Sequence, residues 1–323
     1  MAEAVWYQNS SSGTLTVAFD RLYVEHLLNE RASGHFPSLI FQLHVFASLA
    51  STNQTLWEMS SEMERPTPEG TVVIAMQQTA GRGQWGRQWQ SNAGGLYFSL
   101  MLTPRILPAE SGQLTLLSAW GIARSLRSLG IPIWIKWPND LVLERRKLGG
   151  ILCETRIRDG VVAQAVLGVG INWNNAVPDP GIALASFWQE DSRRAIASLE
   201  HLAAVVLQGI ATSYGQWQRQ GMASILADYQ SLLMHLGRTV NIDCHSGITI
   251  PGVTVPSVTV PSVTVPSVTV PGVTIPGVIV GVDRFGMLRV RLTASEAMGA
   301  SSMPIEEISL PPGRSPWVIL NHS

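Results

Sequence analysis

The chain has 323 residues, 46% of them apolar and 14% charged, and carries a net charge of −1. That length suits two domains with a sizeable core, and the apolar content excludes a disordered chain. The near-neutral balance excludes the broad basic surface that nucleic-acid binding usually needs, so no nucleic-acid partner is expected.

Cys153 and Cys244 are the two cysteines, too few for a disulfide framework and without metal-ligand spacing. Residues 1–10 lack a basic stretch leading into an apolar run, so no secretory leader is expected. No apolar run reaches the roughly 18 residues of a membrane helix. The expected location is the cytoplasm, with no membrane partner.

Residues 1–36 read as an N-terminal extension, with a strand over Leu15–Phe19 and a short helix over Asp20–Glu30. This leaves too little chain for a winged-helix DNA-binding domain. Leu39–Phe46 reads as a strand, and Ser51-Thr52-Asn53 precedes a helix running through Ser61. Ser51 with Gln54 three residues on spells a capping box, which starts a helix without any ligand. The same helix end offers unpaired N–H groups to a ligand carbonyl or anion.

Gln77–Trp89 reads QQTAGRGQWGRQW: three glycines, two arginines and two tryptophans, with no carboxylate. Glycine allows close backbone approach, and arginine forks match phosphate or carboxylate oxygens in pairs. Such a loop suits an anionic ligand with a flat ring, such as a nucleotide, although a basic surface hairpin would have the same composition. Gly81-x-Gly83-x-x-Gly86 also spells the dinucleotide fingerprint, which requires a helix directly afterwards. Here Leu96–Leu102 alternates as a second strand instead, so the loop joins two strands and is not a Rossmann turn.

Ser111–Leu129 has helical spacing and stops at Gly130 and Pro132. Ile131, Ile133 and Ile135 alternate towards Lys136, and Pro138-Asn139-Asp140 forms a turn. Lys147 precedes Gly149-Gly150 and another strand, so two lysines at the ends of one short hairpin are placed to converge. Val161–Leu167 is a strand leading into Gly168–Asn174, and Leu199–Trp217 and Ile225–His235 read as covering helices. Together these give an α+β domain over 37–237, a mixed sheet with helices and a site at the sheet's rim.

Residues 238–323 read as all β, with strands over Arg238–Cys244 and Val278–Leu292 and a hairpin turn at Asp283–Gly286. Between them Pro251–Val280 repeats with period five: PGVTV, three copies of PSVTV, PGVTI and PGVIV. An odd period changes the side-chain face with every copy, and each proline removes a ladder donor. An extended, largely unpaired excursion inserted into the second domain is expected, and it carries no chemistry-bearing side chain.

GRGQWGRQW, KWPNDL, KLGGILCE and GVGINWN occur in that order, preceded by Ser51-Thr52-Asn53. Together they resemble the signature of the biotin protein ligases (biotin–[acetyl-CoA-carboxylase] ligases), over roughly residues 37–310. The resemblance implies an α+β catalytic domain related to lipoate ligases and class II tRNA synthetases, followed by a small SH3-like β-barrel. It implies an ATP- and magnesium-dependent enzyme that forms biotinyl-5′-AMP. The biotin is then transferred to one lysine of the biotin carboxyl carrier protein of acetyl-CoA carboxylase. A homodimer is left open.

By that resemblance Ser51, Thr52, Asn53 and Gln78 contact the biotin ureido ring, with Gly83, Gln84 and Gly150 also lining the biotin site. Arg82 and Lys147 take the carboxylate and α-phosphate, and Arg87, Lys136 and Asn139 take the ATP phosphates. Asp140 orients a cation or the magnesium, with no direct protein cage for the metal, and Trp89 and Asn172 help bind the adenylate. Arg82, Lys136, Asp140 and Lys147 form the implied catalytic set. Gln84 stands where the family's GRGRxGR has its second arginine, so a charge that helps retain the adenylate is absent. A lipoate-type acyl-adenylating ligase would share the fold but lack the GRG and KWPND pair. A non-enzymatic module built on the C-terminal barrel would leave Lys136 and Lys147 without a role.

Because loop-closure entropy varies slowly with length, deleting three whole repeat units, Pro256–Val270, should change stability by less than about 1 kcal/mol. Urea unfolding of the deletion checks this; a chain that no longer folds would mean that the repeat is packed structure.

Overall fold

A computed structural model describes residues 5–8, 16–32, 39–62, 67–188, 195–243, 274–293, 307–312 and 318–320. The chain forms two compact units, Met1–Met234 and His235–Ser323.

The first unit begins with a hairpin, β1 (Val5–Gln8) against β2 (Thr16–Phe19), and a helix α1 (Arg21–Ala32). The α1 residues Val24 and Leu28 are buried, and the helix packs on α4 (Leu199–Gln220), so the N-terminal segment shares the first unit's core. A seven-stranded sheet follows, built from β3 (Gln42–Phe46), β4 (Thr71–Ala75), β5 (Leu96–Leu102), β6 (Trp134–Lys136), β7 (Asp140–Leu143), β8 (Arg146–Arg158) and β9 (Val161–Ile171). Its order is β3-β4-β5-β9-β8-β7-β6, with β3 and β4 parallel and the other neighbours antiparallel. The fold is therefore α+β with a mixed sheet. The short hairpin β6–β7 supplies two of its strands at one edge.

Every residue of the central strand β5 is buried, as expected of a strand covered on both faces. On one side the antiparallel register aligns Tyr97, Ser99 and Met101 with Gly170, Gly168 and Val166 of β9. The helix α2 (Thr52–Glu62) covers this face, where Leu56 packs with Val73, Met101 and Val166. Against the opposite face lie α3 (Gly112–Arg127) and α4, whose apolar residues are buried along most of their length. α4 starts at Ser198, whose hydroxyl accepts from the His201 amide at 3.2 Å, and stops at Gly221, at φ 73°. A short helix α5 (Ala223–Ser231) buries Ile225 and Tyr229, and the Tyr229 hydroxyl donates to the Pro138 carbonyl at 3.3 Å.

α3 and α4 touch backbone to backbone. A Cβ built on Gly121 would stand 2.4 Å from the Gly209 carbonyl oxygen, and one on Gly209 would stand 2.6 Å from that of Gly121. Small residues at the crossing let the two helices close this far, and any side chain there forces them apart.

In the second unit β10 (Thr239–Asp243), β11 (Thr274–Val282), β12 (Leu288–Leu292), β13 (Glu307–Leu310) and β14 (Val318–Leu320) form an antiparallel sheet in the order β13-β12-β11-β10-β14. The Asp283 carboxylate closes the β11–β12 turn by accepting from the amides of Phe285 and Met287, each at 2.9 Å. Glu307 is held below the usual carboxylate range by hydrogen bonds, first from Arg289 and then from Arg291. The repeat up to Val273 lies outside the described residues. Its last unit, Pro276–Val280, departs from the expected excursion: it sits within β11, paired to β10 on one side and β12 on the other. The Pro276 carbonyl accepts from the Thr293 amide at 3.0 Å.

Gly121→Ala should lower stability by about 1–3 kcal/mol through overpacking, although alanine is the better helix former by about 1 kcal/mol. A leftward shift of the urea midpoint checks this, and an unchanged or raised midpoint would mean that the helices can separate without cost.

Candidate active site

Ser51, Thr52 and Asn53 are buried at the start of α2. The expected capping box does not form, because the Gln54 amide donates to Glu58 at 2.8 Å and does not reach back. Gln78, from the strand-to-loop junction, caps the helix in its place. Its Oε1 accepts from the Thr52 amide at 2.8 Å and the Thr52 hydroxyl at 3.2 Å, and its Nε2 donates to the Ser91 hydroxyl at 2.7 Å. Gln78 thus braces the helix end, and a ligand meeting Thr52 meets a preformed network.

Asn53 spans the sheet face. Its Nδ2 donates to Glu154 Oε2 at 2.9 Å, and its Oδ1 accepts from the Ser99 hydroxyl at 2.6 Å. Ser99 also lies 2.8 Å from Thr52 Oγ1. The amide rests directly on β9, where a Cβ on Gly168 would come within 2.3 Å of Asn53 Oδ1. Two residues along the same face, a Cβ on Gly170 would come within 2.5 Å of Trp89 Nε1. Gly168 and Gly170 therefore form a floor on which one polar and one aromatic side chain lie flat. The site consequently sits over the face of the sheet and not, as expected, at its rim.

The loop Gly81–Trp89 is a tight hairpin, bridged between Arg82 and Gln88 and closed by amides of Gly83 to Arg87 (2.7 Å) and Trp89 to Gly81 (2.9 Å). No helix follows Gly86, so the dinucleotide reading is excluded. At the hairpin tip Trp85 adopts φ 62° and is exposed, and Gly86 adopts φ 74°. Gln84 and Gly83 are half-buried, and Arg87 is exposed. Trp89 lies with its ring 5.3 Å from Lys147 Nζ, and its indole N–H is a buried donor without a partner among the described residues. An unsatisfied buried donor costs about 1–3 kcal/mol, which a ligand oxygen would relieve.

Lys147 Nζ lies 2.6 Å from Asp140 Oδ1, while Lys136 stands directly across the β6–β7 pair from Asp140 and is exposed. Lys147 is thus paired with the Asp140 carboxylate, while Lys136 shares only a register position with Asp140. Gly150 faces the same group, with Lys147 Nζ 3.7 Å from where its Cβ would stand. The Asn139 amide is instead spent inside the hairpin, donating to the Ile151 carbonyl at 2.8 Å. Asn172 is buried at the end of β9, where its Oδ1 accepts from Asn175 at 3.1 Å.

Arg82 reaches Glu154: Nη1 and Oε1 are 3.2 Å apart, with the side chains 56% and 24% exposed. Glu154 Oε2 also accepts from the Trp57 indole at 3.2 Å. The carboxylate thereby ties the arginine loop, α2 and β8 together. A groove of about 510 Å³ lies outside this junction, lined by Trp57, Glu58, Arg82, Glu154 and Arg156 among others. Sequence reasoning gave no role to Glu154, although it closes the KLGGILCE motif, nor to Ser99. The one legible sign of Ser99 was a small aliphatic hydroxyl inside the otherwise apolar and aromatic strand LYFSLML, since buried polar groups require partners. Tyr97, on the same face, donates to the Asn92 carbonyl at 2.8 Å, and burial raises its pKa so that it stays neutral. Among the described residues no cluster of three or more His, Cys, Asp or Glu side chains could hold a metal ion.

Residues 45–172 match the Biotin/lipoate A/B protein ligase family. The bifunctional ligase/repressor BirA of Bacillus subtilis is 40% identical over 136 residues, 41% of each chain. The biotin–[acetyl-CoA-carboxylase] ligase of Mycobacterium tuberculosis is 30% identical over 214 residues, 64% of this chain and 76% of that protein. The match thus spans about two fifths of the Bacillus relatives' length and three quarters of the mycobacterial one. The biotin protein ligase from Aquifex aeolicus, solved with biotin and ATP, shares the fold with a TM-score of 0.59 at 23% identity, covering 88% of this chain and all of that one. The chain therefore belongs to the biotin/lipoate protein ligase family, on its biotin protein ligase side.

Proposed function

We propose that this chain is a biotin protein ligase that joins the biotin carboxylate to the α-phosphate of ATP. The products of that step are biotinyl-5′-AMP and pyrophosphate. In the second step the amine of one lysine of a biotin carboxyl carrier protein attacks the acyl carbon and AMP leaves. The observation that carries this reading is one shared sheet face. It holds a polar network, buried at Thr52, Asn53 and Ser99 and half-buried at Gln78, beside two carboxylate-held cations, Arg82 and Lys147.

The chemistry asks for both halves. A carboxylate approaching a phosphate meets charge repulsion, and preorganised cations offset it together with the charge that develops on the phosphorus. Lys147 and Arg82 are the nearest to the glycine floor, and the exposed Lys136 and Arg87 are suited to the outer phosphates. The Trp89 N–H, lacking an acceptor, suits a ligand oxygen beside Lys147.

Asp140 is paired with Lys147, and no cluster of three His, Cys, Asp or Glu side chains forms among the described residues, so magnesium would enter with the ATP phosphates and not through a protein cage. The reading carries with it a cytoplasmic enzyme whose acceptor is the carrier protein of acetyl-CoA carboxylase. It also takes the antiparallel sheet of the second unit as an SH3-like barrel.

Labelled biotin and ATP, with and without a carrier domain, test the reading through pyrophosphate release and acceptor labelling, with lipoate as the competing acid. Lys147→Ala should raise the barrier to adenylate formation by about 2–4 kcal/mol, the cost of losing one preorganised charge donor. Pyrophosphate release near that of the unmodified protein would remove Lys147 from the chemistry.

A further inference from the structure

Each cation next to the glycine floor already has a resident counter-ion. Lys147 is held by Asp140 at 2.6 Å and Arg82 by Glu154 at 3.2 Å. The two pairs differ in what remains when the cation leaves. Glu154 Oε2 keeps two further donors, Asn53 Nδ2 at 2.9 Å and Trp57 Nε1 at 3.2 Å, neither of which involves the arginine. Its charge therefore stays solvated by the protein after Arg82 departs. The Arg82 contact runs through one nitrogen, and at 56% exposure such a pair is weak and readily exchanged.

The geometry points to Glu154 as an exchangeable placeholder: it holds the charge position on Arg82 that the substrate carboxylate takes over on binding. Glu154 is then a positioning residue that acts through Arg82 and sets how tightly an anionic ligand is held. It keeps the arginine loop docked between turnovers and lowers affinity for the acid by competing for the same guanidinium. This rests on the reading of the chain as a biotin ligase and adds to it an affinity-setting residue that does not touch the substrate.

The consequence is charge-selective. Glu154→Gln retains an oxygen for Asn53 and Trp57 but frees Arg82. Biotin should then bind about two- to fivefold more tightly, the scale of one partly exposed ion pair, while biotin methyl ester, without the charge, should bind as before. Calorimetric titration of both compounds into the two full-length proteins, with thermal unfolding as a folding control, decides the matter. Weaker or unchanged binding of the acid, or parallel changes for acid and ester, would overturn the placeholder role and leave Glu154 a structural tie. If Glu154→Gln loses its unfolding transition, Glu154→Asp decides in its place, because it withdraws the carboxylate from Arg82 by one methylene. A selective gain for the acid supports the inference and its absence overturns it. Failure of the unmodified protein to bind biotin at all would instead reject the underlying ligase reading.

Discussion

Asn53 rests on Gly168 and Trp89 on Gly170, each so close that a single added carbon would stand 2.3 Å and 2.5 Å from them. These are two alternate positions on one face of β9, and the other contacts of the site are arranged around them. With the Asn53 amide pressed onto the strand, Ser99 of β5 and Glu154 of β8 lie within hydrogen-bond reach on either side. With Trp89 pressed onto Gly170, the arginine hairpin that carries it lies beside Lys147. Glycine weakens a strand interior, so two of them in a buried strand indicate close approach by something else. Here that something is the Asn53 amide and the Trp89 indole.

The arrangement joins distant parts of the chain through polar contacts that would be costly if left half-made. Gln78 caps α2, Ser99 bridges Thr52 and Asn53, and Glu154 collects Asn53, Trp57 and Arg82. Satisfied networks of this kind are rigid and specify one geometry, whereas a missing member leaves its neighbours unpaired in a poorly solvated place. The exception, the Trp89 N–H, lies beside the lysine proposed to act on phosphate. The helix crossing at Gly121 and Gly209 works on the other side of the sheet in the same way, since close approach there lets α3 and α4 lie flat and support β5 and β8 from behind.

Much of this was legible in the order of residues. The helices over Gly112–Arg127 and Leu199–Gln220 followed from apolar spacing, and the absence of a Rossmann turn followed from the alternation of Leu96–Leu102. Their places in one hairpin point Lys136 and Lys147 towards one site; Lys147 is paired with Asp140, and Lys136 stands across the strand pair from it. Contacts between distant segments were less legible. Ser51 and Gln54 spell a capping box, yet a long-range partner, Gln78, won the helix end, because a local signal carries no information about what tertiary packing brings near. Glu154 looked like the tail of a motif, and its three donors come from two other segments. The position of the site over the face of the sheet depended on what covers Gly168 and Gly170, which strand periodicity does not reveal. The last repeat unit looked unpaired by its odd period, but a stretch as short as Pro276–Val280 need keep its register only once.

The account stands on the glycine floor, and Gly168→Ala addresses it with one methyl group. Biotin titrated calorimetrically into this variant and into the unmodified protein should show affinity reduced by roughly tenfold or more, about 1.4 kcal/mol, because Asn53 must leave its place between Ser99 and Glu154. The variant should still unfold cooperatively, since the cost is confined to one side chain over a strand that stays paired on both sides. Undiminished biotin affinity in a folded Gly168→Ala protein would contradict the account, because the polar network could then form without the floor on which it is said to rest.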